Sequence, residues 1–289
     1  MRPPFLWDGF CIEGKRIVLR FVLWGVLASI ILSGCQSQRS MPEVSYMDFD
    51  QELKPAISGA GFFPIYTWVP ENPSGSQLRI YIEGDGRAWL RSGRASFDPT
   101  PVNRLVHHLM MKDPFSDIAY LSQPCQYEMN STCIKNVWTF ERYSQKVIET
   151  MNHVVSEIKE SGGYKTLELV GYSGGGAIAM LLAAKRDDVI SIRTVAGNLA
   201  PHYTNQLHAV SEMPLALNPA DYQEKLVDIP QVHFVGAHDS VIPEAVSRHY
   251  ENAIEDTSCV TIKSIEADHQ QGWINSWSQL LAVQPKCDK

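Results

Sequence analysis

The sequence predicts an α/β fold with a mostly parallel, doubly wound sheet and an antiparallel hairpin at its entry. Short segments rich in strand-forming residues alternate with helical segments over residues 117–283, as parallel strands joined by helical crossovers require. At residues 167–180 an apolar strand runs through a glycine-flanked serine into an alanine-rich helical stretch. A strand–turn–helix unit of this kind belongs at the carboxyl edge of a parallel sheet.

Each predicted element has its own local signal. Residues 62–69 and 78–83 alternate in polarity around a turn-forming segment, which predicts that they pair as the entry hairpin. Thr-Pro at the start of residues 100–111 predicts a helix, and residues 117–122 predict a short buried strand. Apolar residues at helical spacing over 141–158 predict the long helix before the serine. Further strands are predicted at 189–195, 231–235 and 259–265, and further helices at 220–226, after Pro243 and at 273–283.

The amino terminus has the pattern of an export signal. Basic residues precede an apolar run at 21–32 that is too short to cross a bilayer comfortably. The run ends in Leu32-Ser33-Gly34-Cys35, which resembles the lipobox of bacterial lipoproteins. That resemblance implies removal of residues 1–34 as a signal peptide and attachment of acyl chains to Cys35, which would hold the protein on a membrane. An uncleaved anchor helix is the alternative interpretation.

Beyond the signal, residues 35–55 are polar and predict a tether, and residues 56–289 predict the folded domain. Gln36 follows the lipobox cysteine where inner-membrane lipoproteins of enterobacteria carry Asp, so the resemblance favours the bacterial cell envelope and, within it, the outer membrane. The formal net charge is −7 and no basic run is present. The charge therefore argues against nucleic acid as a partner.

Export would place the remaining cysteines in an oxidising compartment. Four cysteines follow Cys35, and four allow three pairings. We favour Cys125–Cys133, which are close in sequence, and Cys259–Cys287, which would tie the tail to the strand that presents a candidate histidine. Free buried thiols are the alternative.

Ser173 is the candidate nucleophile. It lies in Gly171-Tyr172-Ser173-Gly174-Gly175, the Gly-x-Ser-x-Gly pattern of a serine on a sharp turn between a strand and a helix. Side chains two residues away on either side would collide in such a turn, and glycine avoids the collision. The amino end of the following helix favours negative charge near the serine. A glycine-rich turn without a catalytic role is the alternative.

A serine nucleophile needs a base and an acid that orients the base. Asp239 and His269 each follow a predicted strand, so both would reach the same sheet edge as Ser173. From about residue 60 to 285 the chain resembles an α/β-hydrolase: the order Ser173, Asp239, His269 is the one that fold uses, and Gly236 to Pro243 matches its Gly-x-x-Asp-x-x-x-Pro acid motif. His238 is the rival base.

Negative charge in the transition state requires hydrogen-bond donors. The resemblance implies the backbone N–H of Gly174 and one from the loop after an early strand, where either Asp85 or Gly86 would serve. That loop departs from the family's His-Gly-Gly pattern by carrying Glu83 and Asp85. We expect these carboxylates to turn away or to pair, with Arg87 as a candidate partner; an acidic rim would otherwise select cationic substrates.

These residues predict a lipid-anchored serine hydrolase that acts on small esters, or on peptides or amides, through an acyl-enzyme. The alternative is a ligand-binding lipoprotein on the same scaffold without catalysis. Trp89 and Trp138 are candidates for the substrate pocket or for the core. No cofactor or metal motif is present in the sequence, so the expected partners are a small-molecule substrate and, through acyl chains, a membrane.

Overall fold

The computed structural model describes residues 53–58 and 63–288. The predicted signal peptide at 1–34, the lipidation site Cys35 and all but the last three residues of the predicted tether lie outside the described residues.

Within the described part of the chain, eight strands form one sheet in the order β1-β2-β4-β3-β5-β6-β7-β8. The pairs β1–β2 and β2–β4 are antiparallel and all other pairs are parallel. The predicted fold class is therefore confirmed. The strands are β1 Leu53–Ser58, β2 Ile65–Pro70, β3 Gln77–Ile82, β4 Ile118–Leu121, β5 Thr166–Tyr172, β6 Val189–Val195, β7 Gln231–Gly236 and β8 Val260–Ile265.

Helices cover both faces of the sheet. The long helix predicted before the serine is present, and so is the helix that follows the serine. The α-helices are α1 Leu105–Met111, α2 Lys135–Trp138, α3 Gln145–Gly162, α4 Gly174–Ala183, α5 Pro201–Leu207, α6 Gln223–Leu226, α7 Glu244–Ala253 and α8 Trp273–Leu281, and a 3-10 turn at Pro219–Tyr222 precedes α6.

The two sheet faces bury separate apolar clusters. Leu78, Ile80 and Ile82 of β3 point to the face covered by α3 and α4. Tyr81 of the same strand points to the opposite face, which α1 and α8 cover. This alternation follows from the two-residue period of a strand. It leaves the carboxyl edge of the sheet to the loops that follow the strands.

The predicted pairing of residues 62–69 with 78–83 is wrong. β2 pairs antiparallel with β1 and β4, whereas β3 lies parallel between β4 and β5. The connection between β2 and β3 does not fold back as a tight turn. Instead, the backbone N–H and the hydroxyl of Ser74 donate hydrogen bonds to Asp117, at 3.0 and 2.7 Å. Asp117 directly precedes β4, so this contact ties the connection to the strand that separates β2 from β3.

The helix predicted to begin at Thr100 begins at Leu105. The Thr100 hydroxyl accepts a hydrogen bond from the N–H of Tyr127 at 2.8 Å, and its own N–H donates to Asp98 at 2.9 Å. Thr100 thus joins two loops instead of capping a helix. The Thr-Pro pattern reflects only the local sequence. The hydrogen bond from Tyr127, which lies in a distant segment, occupies the Thr100 hydroxyl that would otherwise cap a helix.

Both predicted disulfides are present, Cys125–Cys133 and Cys259–Cys287. Cys259 lies just before β8, at the end of that strand opposite to His269. Cys259–Cys287 therefore ties the tail to β8, the strand that precedes His269, at the end of that strand away from the histidine.

Candidate active site

Ser173 occupies a strained turn between β5 and α4. Its φ of 53° and ψ of −121° lie in a region that residues with a side chain rarely adopt. A Cβ on Gly171 would lie 2.3 Å from the carbonyl oxygen of Gly175, and a Cβ on Gly175 would lie 2.5 Å from that of Ile82. The steric reason for glycine on both sides of the serine therefore holds here.

Ser173, His269 and Asp239 meet at the carboxyl ends of β5, β8 and β7. Ser173 Oγ lies 3.0 Å from His269 Nε2, and His269 Nδ1 lies 2.8 Å from Asp239 Oδ2. Because an ionised carboxylate only accepts hydrogen bonds, Asp239 places the ring proton on Nδ1 and leaves Nε2 able to take the serine proton. The arrangement has the geometry of a serine nucleophile with its base and orienting acid.

Asp239, the acid that orients His269, is itself held in place. Asp239 is 5% exposed, and its second oxygen accepts the N–H groups of Val241 and Ile242, both at 2.8 Å. The rival base His238 points away: its side chain is exposed and pairs with Glu266. Asp239 therefore faces the serine site, whereas the adjacent His238 does not.

Gly174 begins α4, so its N–H has no acceptor within the helix. The carboxylate of Asp85 lies directly against Gly174: a Cβ there would be 1.9 Å from Asp85 Oδ1. The glycine after the serine thus makes room for the loop that follows β3. This contact brings the two predicted donor segments together.

The Asp85 carboxylate is fully engaged, but not by Arg87. The hydroxyl of Tyr143 donates to both oxygens at 2.9 and 2.8 Å, and Gln123 Nε2 donates to Oδ1 at 3.0 Å. The guanidinium of Arg142 forms an ion pair with Oδ2 at 3.0 Å. The expectation that Asp85 would pair was sound, but Arg142 arrives from the segment before α3, and sequence proximity could not reveal it.

Glu83 is 1% exposed and has partners for both oxygens. The N–H of Gly84 donates to one at 2.9 Å, and the Tyr120 hydroxyl donates to the other at 3.0 Å. Burial raises the pKa of the Glu83 carboxyl to about 7 because the charged form is poorly solvated there. Together, Glu83 and Asp85 leave no unpaired carboxylate on this loop that would attract a cationic substrate.

Hydrogen bonds orient the peptide groups of the loop after β3. The carbonyl of Glu83 accepts Gln123 Nε2 at 3.1 Å, and the carbonyl of Gly84 accepts Gln126 Nε2 at 2.9 Å. In a trans peptide the N–H points opposite to the C=O, so the Asp85 N–H points away from Gln126.

Gly84, the first residue of this peptide, lies beside the serine. A Cβ on Gly84 would lie 3.2 Å from Ser173 Cβ, whereas one on Gly86 would lie 2.1 Å from the Pro99 carbonyl. Gly84 therefore borders Ser173, next in sequence to Asp85, while Gly86 packs against another loop. Between the two donors that the sequence left open, the geometry favours Asp85.

Ser173 and His269 line a cleft of about 1030 Å³. Large apolar side chains stay exposed around it: Trp89, Val102, Phe140, Val210 and Val241. The rings of Trp89 and Phe140 contact edge to face with centroids 5.4 Å apart. Trp138, by contrast, is buried and donates its Nε1–H to the Ser96 carbonyl at 3.2 Å. Trp89 thus borders the cleft, and Trp138 supports the loop behind it.

Within residues 53–58 and 63–288, no helix is long and apolar enough to cross a membrane. The same residues contain no cluster of His, Cys, Asp or Glu that could hold a metal ion.

Part of the chain is similar to a known family of hydrolases. A family model described as "Serine hydrolase (FSH1)" matches residues 127–270, a span that contains Ser173, Asp239 and His269. No curated protein matches the chain by sequence.

Solved structures share the fold at low sequence identity. An esterase from Pyrococcus furiosus is 11% identical with a TM-score of 0.59, over 84% of this chain and 92% of that one. An α/β serine hydrolase homologue from Coxiella burnetii is 14% identical with a TM-score of 0.51, over 79% and 95%. An acylaminoacyl peptidase from Pyrococcus horikoshii is 10% identical with a TM-score of 0.57, over 83% of this chain and 42% of that one. These likenesses show the α/β-hydrolase fold, and the family match supports a hydrolase.

Proposed function

We propose that this protein is a serine hydrolase in which Ser173 is the nucleophile, His269 the base and Asp239 the orienting acid. The observation that carries the proposal is the unbroken chain of contacts from Ser173 Oγ through the His269 ring to a buried carboxylate. A structural serine would not need a histidine in the tautomer that accepts its proton.

The reaction follows from these contacts. Ser173 Oγ bonds to the substrate carbonyl carbon while its proton passes to His269 Nε2. The tetrahedral intermediate then expels the alcohol, which leaves with the proton from His269. Water adds to the acyl-enzyme with His269 again as base, and the acid product leaves as Ser173 regains its proton.

The proposed donors for the intermediate's oxyanion are the N–H groups of Gly174 and Asp85. Both belong to segments that border Ser173. The Asp85 side chain is engaged by Arg142, Tyr143 and Gln123, so its charge is compensated within the protein. This pairing argues against the non-catalytic alternative, in which an uncompensated carboxylate on this loop would repel the oxyanion.

The proposed substrates are small neutral esters, with peptides or amides as the second class. The exposed apolar side chains at the cleft favour an apolar acyl or alcohol group. The absence of an unpaired carboxylate on residues 83–85 removes the reason to expect a cationic substrate.

A fluorophosphonate probe tests the nucleophile because it traps an activated serine covalently. We expect the wild type to be labelled and Ser173→Ala to remain unlabelled. Ser240→Ala is the matched control, since Ser240 also lines the cleft, and it should be labelled like the wild type. Equal labelling of Ser173→Ala would refute the assignment, and an unreactive wild type would favour the ligand-binding alternative.

We also propose that acyl chains on Cys35 anchor the protein in the bacterial cell envelope, at the outer membrane. The support is the lipobox-like Leu32-Ser33-Gly34-Cys35 after a basic and apolar segment. Labelled palmitate should enter the wild type and Cys11→Ser, and it should not enter Cys35→Ser. Membrane association of a mature-sized Cys35→Ser protein would show that lipidation is not the anchor.

A further inference from the structure

The turn at residues 123–127, which follows β4, has an unusual backbone. Cys125 and Tyr127 have φ values of 65° and 66°, a region that residues other than glycine seldom occupy. Gln126 lies between them. Two residues in this conformation persist only when their surroundings hold them there.

The surroundings hold the turn at both flanks. The N–H of Cys125 donates to the Pro64 carbonyl at 3.0 Å, and Cys125 is bridged to Cys133. The N–H of Tyr127 donates to the Thr100 hydroxyl at 2.8 Å. These contacts direct the Gln126 side chain into the protein, where it is 1% exposed.

The Gln126 amide has one possible orientation. Its Oε1 accepts the N–H of Gln123 at 3.0 Å, and its Nε2 donates to the Gly84 carbonyl at 2.9 Å. A flipped amide would set an NH₂ group against an N–H and an oxygen against a carbonyl, and both bonds would be lost. Gln126 is therefore a directed donor to one particular peptide group.

We propose that Gln126 is a positioning residue for the oxyanion site, an inference that rests on the proposed function. By holding the Gly84 carbonyl it fixes the Gly84–Asp85 peptide plane, and the Asp85 N–H then faces the side on which Ser173 lies. Gln126 does not line the cleft around Ser173, so its effect passes through the two backbone groups that it holds, the Gly84 carbonyl and the Gln123 N–H. The turn at residues 123–127 presents this side chain to the Gly84 carbonyl.

A positioning role and a purely structural role give different kinetics. An oxyanion donor acts mainly on the transition state, so its misplacement lowers kcat and leaves KM nearly unchanged. A structural role would lower the unfolding temperature without a selective loss of kcat. Gln126→Met keeps the shape and loses both hydrogen bonds, and Gln126→Glu keeps the acceptor but loses the amide donor.

Gln231→Met is the matched control. Gln231 is also buried, and its Nε2 donates to a backbone carbonyl, that of Leu226, at 2.7 Å. It begins β7, at the end of the strand away from the site. Its replacement should cost stability as Gln126→Met does while leaving the peptide after Gly84 untouched.

The experiment measures the rate of fluorophosphonate labelling, kcat and KM for a p-nitrophenyl ester of a short acid, and inhibition by a trifluoromethyl ketone of the same acyl chain. We expect both Gln126 variants to lose about 10- to 100-fold in labelling rate and kcat. Ketone affinity should fall in parallel, because its adduct carries the oxyanion, and KM should change less than about 3-fold. Gln231→Met should retain wild-type kinetics.

The outcomes separate this inference from the function on which it rests. A wild type that the phosphonate does not label contradicts the proposed function and, with it, the role of Gln126. A reactive wild type with unchanged kinetics in folded Gln126→Met contradicts the role of Gln126 alone. The same is true if Gln231→Met loses as much kcat as Gln126→Met, since the loss would then follow general destabilisation.

Discussion

Glu83 places a carboxyl group in the core beside the loop that carries Asp85. Its pKa of about 7 lies above the ordinary value for an unfolded chain. The folded protein therefore binds this proton more tightly, so the contribution of Glu83 to stability is fully present below about pH 4.5 and is lost as pH rises toward 7. At neutral pH the burial of Glu83 therefore lowers the free energy of unfolding, and the geometry of the loop is what keeps the residue buried.

Glu83→Gln should remove that cost. The amide oxygen can accept the Gly84 N–H, and the NH₂ group can face the Tyr120 hydroxyl. We expect the free energy of unfolding at pH 8 to rise by about 2–3 kcal/mol, with little change at pH 4.5. Urea unfolding at both pH values measures this, with exposed Glu160→Gln as control. An equal change at both pH values would contradict a raised pKa.

At the residue scale, local motifs predicted the candidate triad and long-range contacts escaped prediction. Ser173, Asp239 and His269 each follow a strand, so the carboxyl edge of the sheet brings them together. Arg142 and Gln126 act on the loop after β3 from segments about 40 to 60 positions away in sequence. Nothing in their neighbourhood marks them, because their partners are determined by tertiary packing.

At the scale of elements, the loop between β3 and α1 shapes one wall of the cleft. It carries Trp89, which is 40% exposed and contacts Phe140. A methylene buried against such side chains contributes about 0.8 kcal/mol. We therefore expect kcat/KM to rise by up to about 4-fold per methylene as the acyl chain of a p-nitrophenyl ester lengthens from acetyl to hexanoyl.

Trp89→Ser should flatten that dependence and leave the acetyl ester nearly unaffected. Ile190→Ser is the control, because Ile190 is similarly exposed at 41% and does not line the cleft. A wild type that prefers acetyl over hexanoyl would show that the apolar side chains serve another purpose.

We expect one disulfide to contribute more to stability and the other to contribute more to activity. In the chain-entropy view Cys125–Cys133, across 8 positions, contributes about 2.5 kcal/mol, and Cys259–Cys287, across 28, about 3.5 kcal/mol. Only the first supports the turn that presents Gln126. Replacing both cysteines of the second pair with serine should cost more stability, and replacing those of the first should cost more kcat.

Urea unfolding and ester kinetics on the two double variants decide this. The two bridges serve as each other's control, since both lie in the same folded unit. A larger loss of kcat in the Cys259→Ser, Cys287→Ser variant would show instead that this bridge supports His269 through β8.

Element prediction failed where a segment's partner lay far away in sequence. The alternation in residues 62–69 and 78–83 correctly indicated strands, which the structure has at Ile65–Pro70 and Gln77–Ile82, but pairing depends on which strand occupies the neighbouring position. β4 takes the position between β2 and β3. After β2 the chain passes over this position to form β3, and it returns afterwards to form β4. The polar turn residues 71–76 fit a crossover as well as a hairpin, so local chemistry could not distinguish the two.

At the scale of the whole molecule, buried histidines should dominate acid sensitivity. Burial lowers the pKa of His107 and of His233 to about 3, below the ordinary value of about 6.5. Each contributes stability that is present above pH 6.5 and is lost as pH falls. Glu83 has the opposite sign between about pH 4.5 and 7.

Between pH 5 and 6 these three groups leave the unfolded chain with about one proton more than the folded protein. The free energy of unfolding should therefore rise by about 1.4 kcal/mol per pH unit in this range.

His107→Phe should remove one histidine and bring the slope close to zero. The His107 ring stacks on Tyr120 with centroids 4.4 Å apart, and neither ring nitrogen has a hydrogen-bond partner among the described residues, so phenylalanine suits the site. Exposed His108→Phe, on the same helix, should keep the wild-type slope. A slope that stays at one proton in His107→Phe would mean that other groups control acid unfolding.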